Sequence, residues 1–179
     1  MGAALTLSRE WLLDDVRRRF GLSGPAAASP LTIGAELELI PLHSDTRLPL
    51  PIESHTTACS LDIVRRVAQN GSWREVAMET DPPSWELTSG ARISFEPGGQ
   101  IEVSSAPHTS ASALIAELSE ITHALADMFE RYGASLETKG VDPFNHIERT
   151  PLQLHRRRYE TMTRYFESIG PSGIRMMRQ

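Results

Sequence analysis

The stretch Phe95-Glu96-Pro97-Gly98-Gly99-Gln100-Ile101-Glu102-Val103-Ser104-Ser105-Ala106-Pro107 decides the fold. Pro97-Gly98-Gly99 is turn chemistry, because proline presets one φ angle and glycine accepts positive φ without steric cost. On both sides, polar and apolar residues alternate with period two, the mark of half-buried strands. Ile93 and Phe95 share one face before the turn, with Arg92, Ser94 and Glu96 on the other. After it, Ile101 and Val103 face a core, while Gln100, Glu102 and Ser104 take the opposite side. The segment reads as a β-hairpin with one apolar face and one bearing carboxylates, an amide and hydroxyls.

Working outward, Thr32–Ile40 is a second alternating strand. Its Glu36 and Glu38 leave the same face, about 7 Å apart along the strand. Like charges so placed repel. Four carboxylates on sheet faces, Glu36, Glu38, Glu96 and Glu102, suit a hard cation such as Mg²⁺, which takes oxygen ligands and bridges carboxylates to nucleotide phosphates.

The remaining elements follow from caps and periodicity. Ser8 caps a helix over Arg9–Phe20, which Gly21 stops, and Gly24–Pro30 reads as a linker. A strand from Thr32 ends near Pro41, and residues 43–55 form a loop. Thr57 or Ser60 starts a helix to Asn70-Gly71 that buries Leu61, Val64 and Ala68. Trp73–Met78 and Trp85–Thr88 are short strands around Asp81-Pro82-Pro83. Thr109 or Ser110 opens the longest helix, with a stripe of Leu114, Leu118, Ile121, Leu125, Met128 and Tyr132 that ends at Gly133. Ala134–Val141 is a further strand. Pro151 and Gln153 lead into a last helix to about Ser168, with Tyr159, Met162 and Phe166 inward. The fold class is α+β: a mainly antiparallel β-sheet with helices packed on one face. The organisation is an N-terminal helix and linker over 1–30 and a main domain over 31–179.

Composition excludes several classes. The net charge of −5, with no broad basic face, speaks against a nucleic-acid partner. No apolar run approaches the roughly 20 residues of a membrane span, and no secretory signal is expected at the N-terminus. Cys59 is the only cysteine, which excludes internal disulfides and multi-cysteine metal sites and fits a reducing, cytoplasmic setting. It sits on an apolar helix face and reads as core.

Gly34-Ala35-Glu36-Leu37-Glu38, Phe95–Ser104, Gly140-Val141-Asp142-Pro143-Phe144, Arg158-Tyr159-Glu160-Thr161-Met162 and Gly170–Met177 occur in the order found in the glutamate–cysteine ligase family. The chain resembles the branch of plant-type and bacterial enzymes, including those serving ergothioneine synthesis. The Glu-Pro-Gly-Gly-Gln-x-Glu block is its most specific part. The resemblance implies the N-terminal half only of a ligase with a glutamine-synthetase-like fold. It further implies ATP as co-substrate, Mg²⁺ as cofactor, and L-glutamate and L-cysteine as substrates, in the first step of glutathione or ergothioneine synthesis. Glu36, Glu38, Glu96 and Glu102 match the family's metal-binding acids. Gln100, Ser104, Arg158, Tyr159 and Arg175 are the expected substrate-binding residues, since a guanidinium fork matches a carboxylate. No covalent catalytic residue is nominated. A carboxylate–amine ligase with another acceptor, and a non-catalytic module binding cations or a partner, are the alternatives.

Overall fold

The computed structural model describes residues 8–19, 31–77, 82–170 and 172–178. The chain divides into two units, residues 1–32 and 33–179. In the first, helix α1 (Arg9–Arg19) begins where Ser8 Oγ accepts the Trp11 N–H at 3.1 Å. Asp14–Arg18 and Asp15–Arg19 pairs line its surface at the i, i+4 spacing that juxtaposes side chains. The expected end at Phe20-Gly21 and the 24–30 linker lie outside the described residues.

The second unit is built on six antiparallel strands: β1 (Glu36–His43), β2 (Arg74–Val76), β3 (Ser84–Glu86), β4 (Arg92–Phe95), β5 (Ile101–Ser104) and β6 (Ala134–Glu137). Their order across the sheet is β2-β3-β4-β5-β1-β6. The alternation read in the hairpin is realised, for Ile93, Phe95, Ile101 and Val103 are all buried. Glu96 N–H donates to the Gln100 carbonyl at 2.8 Å and Gly99 N–H to Glu96 at 2.9 Å, closing the turn with Gly99 at φ +97°. Strand β1 runs on through Pro41 to His43 instead of ending there. β5 has paired with β1 only as far as Leu39, so a residue without an N–H is tolerated beyond that point. The Pro41 carbonyl still accepts from Leu50 N–H at 2.9 Å. β6 stops at Glu137, four residues short of the expected Val141.

Helices α2 (Ser60–Gly71) and α3 (Ala111–Arg131) pack on the apolar face of the sheet. Ser110 caps α3, its Oγ accepting from Ala113 N–H. The α3 stripe holds at Leu114, Ile121 and Leu125, but the last inward residue is Phe129, fully buried, and Tyr132 is 41% exposed. A further i+4 step from Leu125 lands on Phe129, whereas Tyr132 lies past the helix end. Leu50 and Ile52 of the long loop after β1 join this core, as does Cys59.

The last long helix departs most from expectation. A 3₁₀ turn at Ile147–Arg149 is followed by extended chain, and α4 (Arg157–Ile169) begins only at Arg157. The N–H groups of Gln153 and Leu154 both reach the Pro97 carbonyl, at 2.7 and 3.4 Å, so this backbone serves the hairpin rather than a helix. Tyr159 and Thr163 are the buried residues of α4, and Met162 is 41% exposed. A short helix α5 (Arg175–Arg178) closes the described chain, with Met177 buried. Among the described residues no helix is long and apolar enough to cross a membrane.

Candidate functional site

The polar face of the sheet carries two rows of side chains set by strand register. In the first, Arg74 stands opposite Glu86, Glu86 opposite Arg92, Arg92 opposite Ser104, and Ser104 opposite Glu36. Arg74 is ion-paired with Glu86, and Arg92 Nη2 donates to Ser84 Oγ at 3.1 Å. Positive and negative groups alternate, as cross-strand pairing favours.

The second row lies one pleat period along the same face: Ser94 opposite Glu102, and Glu102 opposite Glu38. Here two carboxylates face one another directly, an arrangement that destabilises a sheet. Ser104 Oγ donates to Glu102 Oε1 at 2.9 Å and Ser94 Oγ to the same atom at 3.4 Å. Glu96, at the hairpin corner, adds a third carboxyl that hydrogen-bonds Glu102. Burial, then the charges of Glu102 and Glu38 and that hydrogen bond, push the Glu96 carboxyl up to about 7, with Arg158 pulling the other way. Burial, Glu102 and Glu36 likewise raise Glu38. The geometry thus holds like charges together and leaves one of them protonated near neutrality.

Beside Glu96 opens a cavity of about 230 Å³. Arg92 and Ser94 of β4 line it, together with Arg156, Arg158 and Tyr159 from the start of α4. Arg158 Nη2 donates to Tyr159 Oη at 2.9 Å, and its guanidinium lies 4.5 Å from that ring's centre. An acidic edge and a basic wall therefore meet in one pocket, a surround for a ligand bearing an anionic group and for a cation.

Of the residues nominated from sequence, Glu38, Glu96, Glu102 and Ser104 come together, and Arg158 and Tyr159 join Glu96 at the cavity. Glu36 stands in the neighbouring, charge-balanced row. Gln100 does not lie open on the polar face. It is 6% exposed and lines a minute cavity of about 10 Å³ under the turn with Asp142, Thr150 and Arg178, its Oε1 unpartnered among the described residues. Arg175 is exposed on α5 and does not border the arginine-lined cavity. Arg92, Ser94 and Arg156 were not nominated. Alternation had put Arg92 and Ser94 on the face of Glu96, and Arg156 adjoins Arg158 in a run of three arginines.

The acids fit Mg²⁺ in a limited way. Among the described residues no three carboxylate, imidazole or thiol groups converge tightly enough to cage an ion. Mg²⁺ is usually held by one or two carboxylates together with substrate phosphates. The Glu96–Glu102 and Glu102–Glu38 pairs match that demand. A larger hollow of about 570 Å³ between α2 and α3 contains none of the nominated residues. Convergent charge, rather than volume, marks the site.

The sequence profile of glutamate-cysteine ligase family 2 matches residues 32–179. The chloroplastic glutamate–cysteine ligase of Nicotiana tabacum is 27% identical over 155 residues, covering 87% of this chain and 28% of the tobacco protein. Glutamate–cysteine ligase A of Oryza sativa subsp. japonica is 28% identical over 146 residues, 81% of this chain and 28% of the rice protein. Glutamate–cysteine ligase EgtA of Mycolicibacterium smegmatis is 31% identical over 134 residues, 73% of this chain and 29% of its own length. The chain thus spans little more than a quarter of these relatives.

Proposed function

The chain belongs to glutamate-cysteine ligase family 2, and on that premise we propose that it forms the carboxylate-bearing part of an ATP- and Mg²⁺-dependent ligase joining glutamate to cysteine for thiol biosynthesis. The observation that carries this reading is the second row, where Glu38 and Glu102 face one another without a cationic neighbour on the sheet and Glu96, hydrogen-bonded to Glu102, opens onto an arginine-lined cavity.

In this chemistry an oxygen of the glutamate γ-carboxylate attacks the γ-phosphorus of ATP and ADP leaves. The cysteine amine then attacks the acyl carbon of the resulting γ-glutamyl phosphate, inorganic phosphate departs, and the amine loses a proton. The difficulty is to gather a polyanion and two amino acids without repulsion. Bound Mg²⁺ supplies charge neutralisation on the phosphates. Glu102, paired with Glu96 or with Glu38, would hold it. Arg158, with Arg92 and Arg156, would hold the substrate's α-carboxylate, where a planar fork fixes orientation as well as charge. Tyr159 backs Arg158 through its hydroxyl, and Ser104 orients Glu102. No protein nucleophile is needed, because positioning and electrostatics carry such reactions.

The test is ADP release by the native protein. It should require Mg²⁺, glutamate and cysteine together. Release that is indifferent to glutamate would overturn the reading. Turnover with glutamate but with another amine preferred to cysteine would retain the ligase chemistry and change the acceptor.

A further inference from the structure

One side chain outside the carboxylate row ties the two halves of the site together. Gln153 lies in the extended segment before α4. Its Nε2 donates to the Gly98 carbonyl at 3.0 Å, and its Oε1 accepts from Ile52 N–H at 2.7 Å. Its own N–H donates to the Pro97 carbonyl at 2.7 Å. The carbonyls of Pro97 and Gly98 stand at the tip of the hairpin, where no neighbouring strand offers an N–H, so residue 153 supplies what the ladder cannot. The amide meets the chain so closely that a Cβ on Gly99 would collide with it, and Gly99 already holds a positive φ. A primary amide carries both the donor for one backbone and the acceptor for the other.

The consequence lies on either side of the contact. Glu96 directly precedes the clamped Pro97, and buried Leu154 directly follows Gln153. Arg156 and Arg158 come next, facing Glu96 across the 230 Å³ cavity. The acidic edge and the basic wall are therefore joined through residue 153, by its backbone N–H and by its amide. We infer that Gln153 is a positioning residue that holds the acidic edge against the basic wall and thereby governs which length of dicarboxylic amino acid engages both. Under the ligase reading, on which this specificity role rests, the guanidinium wall takes the α-carboxylate while the side-chain carboxylate reaches the acidic edge. An acid one methylene shorter then fails to engage both ends at once.

The test uses the native protein with Gln153→Glu, which keeps the volume and the acceptor but removes the donor, and Gln153→Asn, which keeps the amide on a shorter arm. The first readout, amide hydrogen exchange, does not depend on turnover. Exchange at Glu96 and Gly99 should accelerate about tenfold in Gln153→Glu, with α3 unchanged. Equal protection at the turn in both variants and wild type would overturn the clamp. The second readout is the ratio of kcat/KM for glutamate to that for aspartate. It should fall about fivefold or more in whichever variant melts within about 2 °C of wild type. An unchanged ratio, with losses that only follow the folded fraction, would reduce Gln153 to a structural contact and overturn the inference. Should the wild type release no ADP with glutamate and cysteine, the ligase reading fails separately. The specificity role then falls with it, and the exchange data alone decide the clamp.

Discussion

Glu96 and Glu117 are both carboxylates drawn partly out of water, and the fold sends them in opposite directions. Burial alone would raise Glu117, yet hydrogen bonds from Ser89, His108 and the Ala106 N–H outweigh it and hold the carboxyl below its ordinary value. Its Oε2 accepts from Ala106 N–H at 2.9 Å and lies 2.7 Å from His108 Nε2. The result is a clasp between α3 and the chain leaving β5. Glu96 meets deeper burial together with two further carboxylates, and Arg158 only partly offsets them, so it rises to about 7. One carboxylate is supplied with donors and stabilises the fold. The other is placed against like charge, which costs stability and, under the proposed function, serves to receive charge from a ligand.

The largest effect should come from breaking the Glu96 side of the comparison. Glu102→Gln or Glu96→Gln in the native protein removes a charge from the row without changing its shape. Mg²⁺-dependent ADP release should drop by about 10²–10³-fold, the scale of losing one preorganised electrostatic contact. The melting temperature should hold or rise, since repulsion is relieved. Near-normal turnover would sink the cation role of the row.

Glu117→Ala should act the other way round. It strands the Ala106 N–H and the His108 ring in a partly buried place, at a cost of about 1–3 kcal/mol. A lower midpoint in thermal unfolding, with kcat per folded molecule largely kept, is the expected result. A kcat loss like that of Glu102→Gln, at unchanged stability, would mean that the two carboxylates do not differ in kind.

How much of this contrast the sequence discloses depends on the reach of the interaction. The hairpin is legible because its alternation and its Pro-Gly-Gly turn lie within a dozen residues. The facing of Glu38 and Glu102 is not, because register between strands 64 residues apart is fixed by packing rather than by either segment. Gln100 follows the alternation on paper, but it adjoins the turn, and there the chain carries it underneath. The late start of α4 depends on Pro97, a residue far away in sequence that claims two backbone N–H groups. Glu117 lies off a stripe read from Leu114 to Tyr132, and nothing local distinguishes it from a solvated acid. Its partners become visible only when the loop after β5 folds back.

The smallest effect is also the one that separates the two carboxylates most directly, the dependence of stability on pH. An unfolded glutamate titrates near 4.5. Because folded Glu96 holds its proton up to about 7, the folded state binds more proton than the unfolded state between those values. Stability therefore declines as pH rises through that window, and the decline is complete above about pH 7. Glu38, also raised, acts in the same direction. Glu117 is lowered, so its contribution is fully present above the unfolded value and is lost as pH falls through the folded one. Melting temperatures of wild type, Glu96→Gln and Glu117→Gln across about pH 4 to 8 read both. The Glu96→Gln protein should gain on wild type as pH rises from about 5 to 7 and then hold its lead. Glu117→Gln should trail wild type by a steady margin above about pH 5 and close the gap below it. Two gaps that ran parallel with pH would mean that the two environments do not oppose one another, and the distinction between clasp and ligand site would lose its electrostatic basis.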